Sequence, residues 1–409
     1  MTRHTCRLCG APLTEPFLDL GSSPLSNALV DAEHLARPDP VYPLRVYVCE
    51  SCWLVQLPEV ESPARIFGDY PYFSSYSSTW LDHVRGFAGA MRERFGLGPQ
   101  SLVIEAASND GHLLAQFQQA GIKVLGIEPA RNVARAARAR GVPTLSEFVG
   151  VESARRLVAQ EYRADLLVAN NVLAHVPDLH DFATGLATLL KPTGVLTLEF
   201  PHVLRLLERV EFDTIYHEHF SYFSLGTALR ALERAGLQVF DVEELPTHGG
   251  SLRVYASHAG RARAANAIAE LEETETRAGL RRRETYDDFA RRVDRAKKKL
   301  IEFLRSAHDD GALVAGYGAP AKATTLLNTC GIGTDLLPFT VDRSPHKQGR
   351  YVPGVRTPIF PPEKIFEERP AYVLILPWNI AEEVREQMAG ISEWGGRFVV
   401  PVPALEVVA

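Results

Sequence analysis

The run FDTIYHEHFSYFS sets Tyr216, His217, Glu218 and His219 side by side, a phenol, two imidazoles and a carboxylate in four residues. Histidine changes charge near neutral pH without help. Carboxyl and phenol groups do so when burial or neighbouring charges move their titration. A set of this kind suits a reaction that first removes a C–H proton, whereas transfer to an oxygen or nitrogen needs at most one base. His175, in NNVLAHVPD, adds a third imidazole beside Asn170 and Asn171.

These groups need a scaffold that returns them to one place. The segments SLVIEAA, KVLGIEP, DLLVANN and GVLTLEF read as strands separated by helical stretches, an order that predicts a parallel sheet with helices on both faces. Ligands of such sheets bind beyond the carboxyl ends of the strands, where the strand order reverses. There the first strand ends at Glu105 and turns through Ser108, Asn109, Asp110 and Gly111 into a helix, and Glu128 ends the next strand. A carboxylate at that second position can accept both hydroxyls of a ribose. The turn lacks G-x-G-x-x-G and puts acids where a pyrophosphate would sit, which disfavours NAD. S-adenosylmethionine carries a sulfonium and an ammonium, so an acidic turn favours it. The stretch from Ser146 to Val149 is a candidate adenine contact.

Cys6-x2-Cys9 and Cys49-x2-Cys52 supply four thiolates, the donor set of a closed tetrahedral zinc site. With no open coordination position, that zinc is expected to be structural. Cys330 stands apart and is expected to be a buried, inert thiol. The chain of 409 residues is long enough for several cores. Its 46% hydrophobic and 23% charged residues are those of a soluble globular protein, and a net charge of −6 points away from nucleic acid. The N-terminus lacks a signal-peptide apolar core, and no segment carries about 18 uninterrupted apolar residues. The expectation is a cytoplasmic protein without a membrane partner, a monomer or weak oligomer.

The fold expected is α/β in three domains: a small four-cysteine zinc domain over 1–72, a Rossmann-like domain of the class I methyltransferase type over 73–256, and a smaller Rossmann-like domain over 306–409. A charged helical connector, 257–305, joins the last two. In the C-terminal domain, GYGAPAKATT turns from strand to helix and offers Lys322 as a phosphate ligand. THGGSLRVY offers Arg253 as a second one.

The paired cysteines, DYPYFSSYSSTW, EAASNDGHLL, NNVLAHVPD, IYHEHFSYFS, THGGSLRVY and GYGAPAKATTLLN occur in one order along the whole chain. In these motifs the chain resembles the sugar C-methyltransferases of deoxysugar biosynthesis, the nucleotide-linked C-3′-methyltransferase group. The resemblance implies methylation of a carbon beside the ketone of an NDP-4-keto-6-deoxy sugar, TDP-linked in this group, with Tyr70, His175, Tyr216, Glu218 and His219 at the active-site positions. Tyr72, Tyr76 and Tyr222 are further candidates for contact with the sugar, and Tyr72 and Tyr76 compete with Tyr70 for its role. His219 is assigned as the base at C3, Tyr216 and His175 as donors to the C4 oxygen, and Glu218 to orienting His219 or holding a sugar hydroxyl. Residue types alone leave the base open among His219, Tyr216 and His175. Ala107 replaces a glycine of the commoner motif, a change expected to be tolerated if its backbone stays out of the left-handed region.

Overall fold

Apolar strand segments alternating with amphipathic helices bury both faces of a sheet only if the helices cross over it. The computed structural model, which describes residues 4–68 and 78–408, shows that arrangement twice. The chain divides into two compact units. One holds residues 1–14, 48–204 and 219–281, the other 15–47, 205–218 and 282–409.

The first unit is built on a seven-stranded sheet, ordered Leu237–Leu245, Ser251–His258, Leu190–Pro201, Ala164–Asn170, Leu102–Ala106, Lys123–Ile127, Thr144–Leu145. The last five are parallel, and the first two form an antiparallel arm on the edge. From Leu102–Ala106 the chain runs outward to one side, then returns to Ala164–Asn170 on the other. The order therefore reverses between these two strands, and a crevice opens at their carboxyl ends. The helix Ser78–Phe95 packs Val84, Phe87 and Met91 against Leu114 and Phe117 of the helix His112–Gln119 and against Val103, Leu166 and Val168 of the sheet. The cysteine-bearing segment belongs to this unit, and its strand Val55–Gln56 pairs with Ser221–Tyr222.

The second unit has a six-stranded sheet, ordered Ile359–Phe360, Thr340–Val341, Val314–Tyr317, Tyr372–Ile375, Arg397–Val400, Glu406–Val408, parallel except for the last pair. Gly318, at φ 88°, makes the turn from the strand Val314–Tyr317 toward the helix Ala321–Cys330, and a Cβ there would meet Pro377 at 2.6 Å. The charged stretch forms two helices, Asn266–Arg277 and Arg283–Asp309, of which the first belongs to the first unit and the second to this one.

Residues 15–47 also belong to the second unit, a placement that nothing in their composition announces. They form an antiparallel pair, Leu18–Ser23 with Tyr42–Val48, in register Leu18↔Val46. Phe17 packs on Tyr286 and Phe289 at ring separations of 5.2 and 6.4 Å, and Val30 bridges Tyr351. Thr324 Oγ1 donates to Ser26 O at 2.9 Å. The α/β class, the cysteine-bearing segment and the second Rossmann-like sheet accord with the sequence reading. No helix among the described residues is long and apolar enough to cross a membrane.

Phe17 is 7% exposed and touches two aromatic rings far along the chain. Phe17→Ala should lower stability to chemical denaturation by about 3 kcal/mol through the cavity it leaves. A loss below about 1 kcal/mol would mean that 15–47 does not share the core of the C-terminal unit.

Candidate active site and metal centre

At the crevice of the first unit the strand Leu102–Ala106 delivers Glu105, which is buried. The chain then turns through two left-handed residues, Ala107 (φ 55°) and Asn109 (φ 48°), before Gly111 (φ 79°) caps the helix. Ala107 therefore occupies the region that the sequence reading needed it to avoid. The turn is set by what it must reach: Asn109 N–H donates to Glu128 Oε2 at 2.9 Å. A Cβ on Gly126 would lie 2.5 Å from Ser108 Oγ, so the neighbouring strand needs glycine there for the turn to dock.

Four carboxylates gather at this edge. Glu128, buried, is fixed by the N–H groups of Asn109 and Ala130, the latter at 2.8 Å. Burial still raises its pKa. Asp110, fully buried, has Arg140 Nη1 at 3.4 Å. Glu199, also fully buried, is met by His83 Nε2 at 2.8 Å and by Arg253 Nε and Nη2 at 2.8 and 2.6 Å. Burial opposes its charge, but His83 and Arg253 outweigh it and hold Glu199 below the usual carboxylate range. Glu105 has no such help. Burial, then the charges of Glu128, Asp110 and Glu199, push it well above that range, and its Oε2 is buried without a partner among the described residues. Ser108 Oγ, Asn170 Oδ1 and Asn171 Oδ1 are likewise buried without partners. Unpartnered buried acceptors under mutually repelling acids form a seat for a cation with several donors, so the residues present fit S-adenosylmethionine.

Arg253, expected as a phosphate ligand, is engaged within the protein. Its fork is spent on Glu199 and, at 3.0 Å, on Glu243, and its guanidinium lies 4.8 Å over the Phe87 ring. Glu199 and His83 are the members of this site that the sequence reading passed over. Glu199 sits inside an apolar strand, and its partners lie 116 and 54 residues away, so no local pattern marks it.

Past Asn171 (φ 54°), a short turn Leu173–His175 carries His175 beyond the same strand ends. His219 lies against it, ring to ring at 4.7 Å and 65°. Phe67 abuts His175 at 5.4 Å, and Tyr222 abuts His219 at 5.9 Å. Tyr222 is buried, so it backs the imidazole as packing. The two histidine loops are joined by Phe220 N–H donating to Ala174 O at 2.7 Å.

In the second unit, His217 is buried and bonds Pro43 O at 3.1 Å, and burial lowers its pKa. It is a structural member of the YHEH run. Glu218, also buried, accepts from Asn27 Nδ2 at 2.9 and 2.8 Å on its two oxygens, which fastens the chain just ahead of His219. Tyr216 is half-buried. Lys322, expected as a phosphate ligand, is engaged within its own unit. Its Nζ lies 2.5 Å from Asn379 Oδ1 and 4.0 Å over the Trp378 ring, and Trp378 Nε1 donates to Asp213 at 2.7 Å. Burial lowers the Lys322 pKa while the charges of Asp213 and Glu211 resist. Cys330 is buried and its thiol is pushed up to about 12, as an inert cysteine should be. Tyr70, Tyr72 and Tyr76 lie outside the described residues.

The sulfurs of Cys6, Cys9, Cys49 and Cys52 all lie within 4.8 Å of one another, with Cys6–Cys52 at 3.5 Å and Cys9–Cys49 at 3.6 Å. A tetrahedron of thiolates about 2.3 Å from zinc has edges of roughly 3.8 Å, so the set fits that ion. Gln56 Nε2 donates to Cys6 Sγ at 3.2 Å. The Cys52 thiol beside Cys6 and this amide hold Cys6 down to about 4, the thiolate state that a metal needs.

Family models match three stretches of the chain: a zinc binding domain over 6–67, a methyltransferase domain over 80–242 and a C-methyltransferase C-terminal domain over 246–403. The C-methyltransferase NovU of Streptomyces niveus is 39% identical over 405 residues, 99% of this chain and 96% of its own. Among solved structures, the PH0226 protein of Pyrococcus horikoshii OT3 is 16% identical with a TM-score of 0.38, over 48% of this chain and 97% of its own. Magnesium protoporphyrin IX methyltransferase of Synechocystis PCC 6803 with bound SAM is 17% identical with a TM-score of 0.32, over 44% and 79%.

Two outcomes follow from the acidic edge. A left-handed alanine costs about 1 kcal/mol that glycine avoids, so Ala107→Gly should stabilise the free protein by about that much in chemical denaturation; a loss would mean the turn is not held left-handed without ligand. Glu105, with its pKa raised, keeps its proton above the pH at which an ordinary carboxyl loses it, and a cationic ligand must displace that proton. The thermal shift given by S-adenosylmethionine should therefore grow as pH rises above the usual carboxylate range, and Glu105→Gln should abolish the growth. A shift independent of pH in the unaltered protein would remove Glu105 from the site.

Proposed function

The chain belongs to the C-methyltransferase family, and from that premise we propose that it methylates C3, beside the ketone of a TDP-linked 4-keto-6-deoxy sugar, in deoxysugar and antibiotic biosynthesis. S-adenosylmethionine supplies an electrophilic methyl group. Glu105, Ser108, Asn109, Asp110, Gly111, Glu128, Asn170 and Asn171 are the residues that would hold it, with the positive charge drawn to the unsatisfied acids. The zinc, closed within four thiolates, keeps a structural role.

A carbon next to a ketone becomes a nucleophile once its proton leaves and the charge moves onto the ketone oxygen. We assign His219 to take the C3 proton and His175 and Tyr216 to donate to the C4 oxygen. What supports this is the His175–His219 pair, two imidazole rings 4.7 Å apart, with His175 on the turn that follows the carboxyl end of the strand Ala164–Asn170. Nothing in transfer to a heteroatom needs both. Glu218, fastened to Asn27, steadies the chain that enters His219. Tyr70, Tyr72 and Tyr76 are proposed as the sugar-facing side chains, with Tyr70 among the proton-handling groups. The enzyme works in the cytoplasm, as a monomer or weak oligomer.

The test is incubation with labelled S-adenosylmethionine and a TDP-4-keto-6-deoxyhexose in heavy water, followed by NMR of the sugar. A new C-methyl beside the ketone is expected, with deuterium exchange there that His219→Ala slows by about 10²–10⁴-fold. A methyl on oxygen or nitrogen without exchange would replace this reading with heteroatom transfer.

A further inference from the structure

We propose that Arg7, inside the first zinc knuckle, is a positioning residue for the histidine pair. Arg7 lies between Cys6 and Cys9, so a metal held by the four cysteines would fix its backbone. Its N–H donates to Gln56 Oε1 at 3.0 Å, and the same amide reaches Cys6 Sγ through Nε2. From this anchored base the side chain extends away from the cysteines. Nη1 donates to Pro177 O at 2.9 Å and Nη2 to Leu57 O at 2.5 Å, and the guanidinium lies 5.3 Å over the Phe220 ring.

Each of those groups holds a histidine loop. Pro177 is two residues past His175, and Phe220 directly follows His219. Leu57 N–H donates to Phe220 O at 3.0 Å, while Phe220 N–H donates to Ala174 O at 2.7 Å. The backbone thus runs Leu57 to Phe220 to Ala174 as a ladder, and Arg7 closes it by tying its first rung to the far side of the His175 loop. A planar fork bonds two carbonyls in fixed directions and stacks on a ring at once, which a lysine cannot do. The zinc site on this view also sets the 4.7 Å spacing of the two imidazoles. Displacements of about 1 Å in a reacting group cost on the order of a hundredfold in rate.

The inference rests on His219 and His175 acting in the proton step, and its test separates the two claims. Methyl transfer and deuterium exchange are measured for Arg7→Ala, Arg7→Lys, His219→Ala and the Arg7→Ala/His219→Ala pair, with zinc content and the affinity for S-adenosylmethionine measured on each. Arg7→Ala should keep one zinc per chain and its cofactor affinity within about twofold, leave KM for the sugar little changed, and lose roughly 10–100-fold in kcat. Arg7→Lys should recover part of that loss. In the double variant the arginine should cost nothing beyond the His219→Ala loss. An unchanged kcat in Arg7→Ala, or a loss that follows loss of zinc, overturns the proposal. If Arg7→Ala does not fold, Arg7→Lys carries the test, with a several-fold kcat loss at full zinc content expected and a normal kcat overturning it. Full activity of His219→Ala would instead remove the base assignment, independently of Arg7.

Discussion

Negative charge held out of water at the strand ends is the constraint around which the first unit is organised. Glu105, Asp110, Glu128 and Glu199 are at most 7% exposed, and an ionised carboxylate in such a place is stable only with donors or counter-charges around it. Much of the surrounding architecture meets that need. The left-handed turn aims a backbone N–H at Glu128, the antiparallel arm brings Arg253 to Glu199, and the first long helix brings His83 to it. Arg140 reaches Asp110. Glu105 alone is left incomplete, so the edge is most favourable when a cation arrives.

Backbone strain at this edge has the same origin. Ala107, Asn109 and Asn171 all hold positive φ, conformations that non-glycine residues keep only where surrounding structure over-determines them. The docking of Ser108 against Gly126 and the bonds to Glu128 provide that structure. The turns at this edge are thereby held by the protein's own contacts, so less ordering would remain for a ligand to supply.

Much of this was legible in the residues. Alternating apolar runs gave the parallel sheet, the acids ending two successive strands lie buried at one sheet edge as their positions implied, and paired CxxC turns marked the metal. What stayed hidden depends on distant partners. Arg253 and Lys322 read as phosphate ligands because each is a cation near glycines; their partners within the protein, Glu199 for one and Asn379 and Trp378 for the other, could not be read from local sequence. Glu199 was hidden for the converse reason: a charged residue in an apolar strand has no meaning until its counter-charges are brought across the sheet. His217 shared a motif with His219 yet faces a backbone carbonyl, since adjacent residues on an irregular loop need not share surroundings.

The segment 15–47 has a consequence for how the protein is made. Its aromatic contacts, Tyr286 and Phe289, emerge about 240 residues after Tyr47 leaves the ribosome, a wait of roughly 10–50 s at usual rates of elongation. During that time Phe17, Leu18 and Leu20 have no core to enter, although the cysteines on either side already belong to the other unit. The chain crosses between units five times, so no single cut separates them, and an exchange of domains with a relative must carry the N-terminal insert along with the C-terminal half. Assembly is in this sense deferred: an early stretch of chain is committed only once synthesis has passed Phe289 and the C-terminal sheet can form.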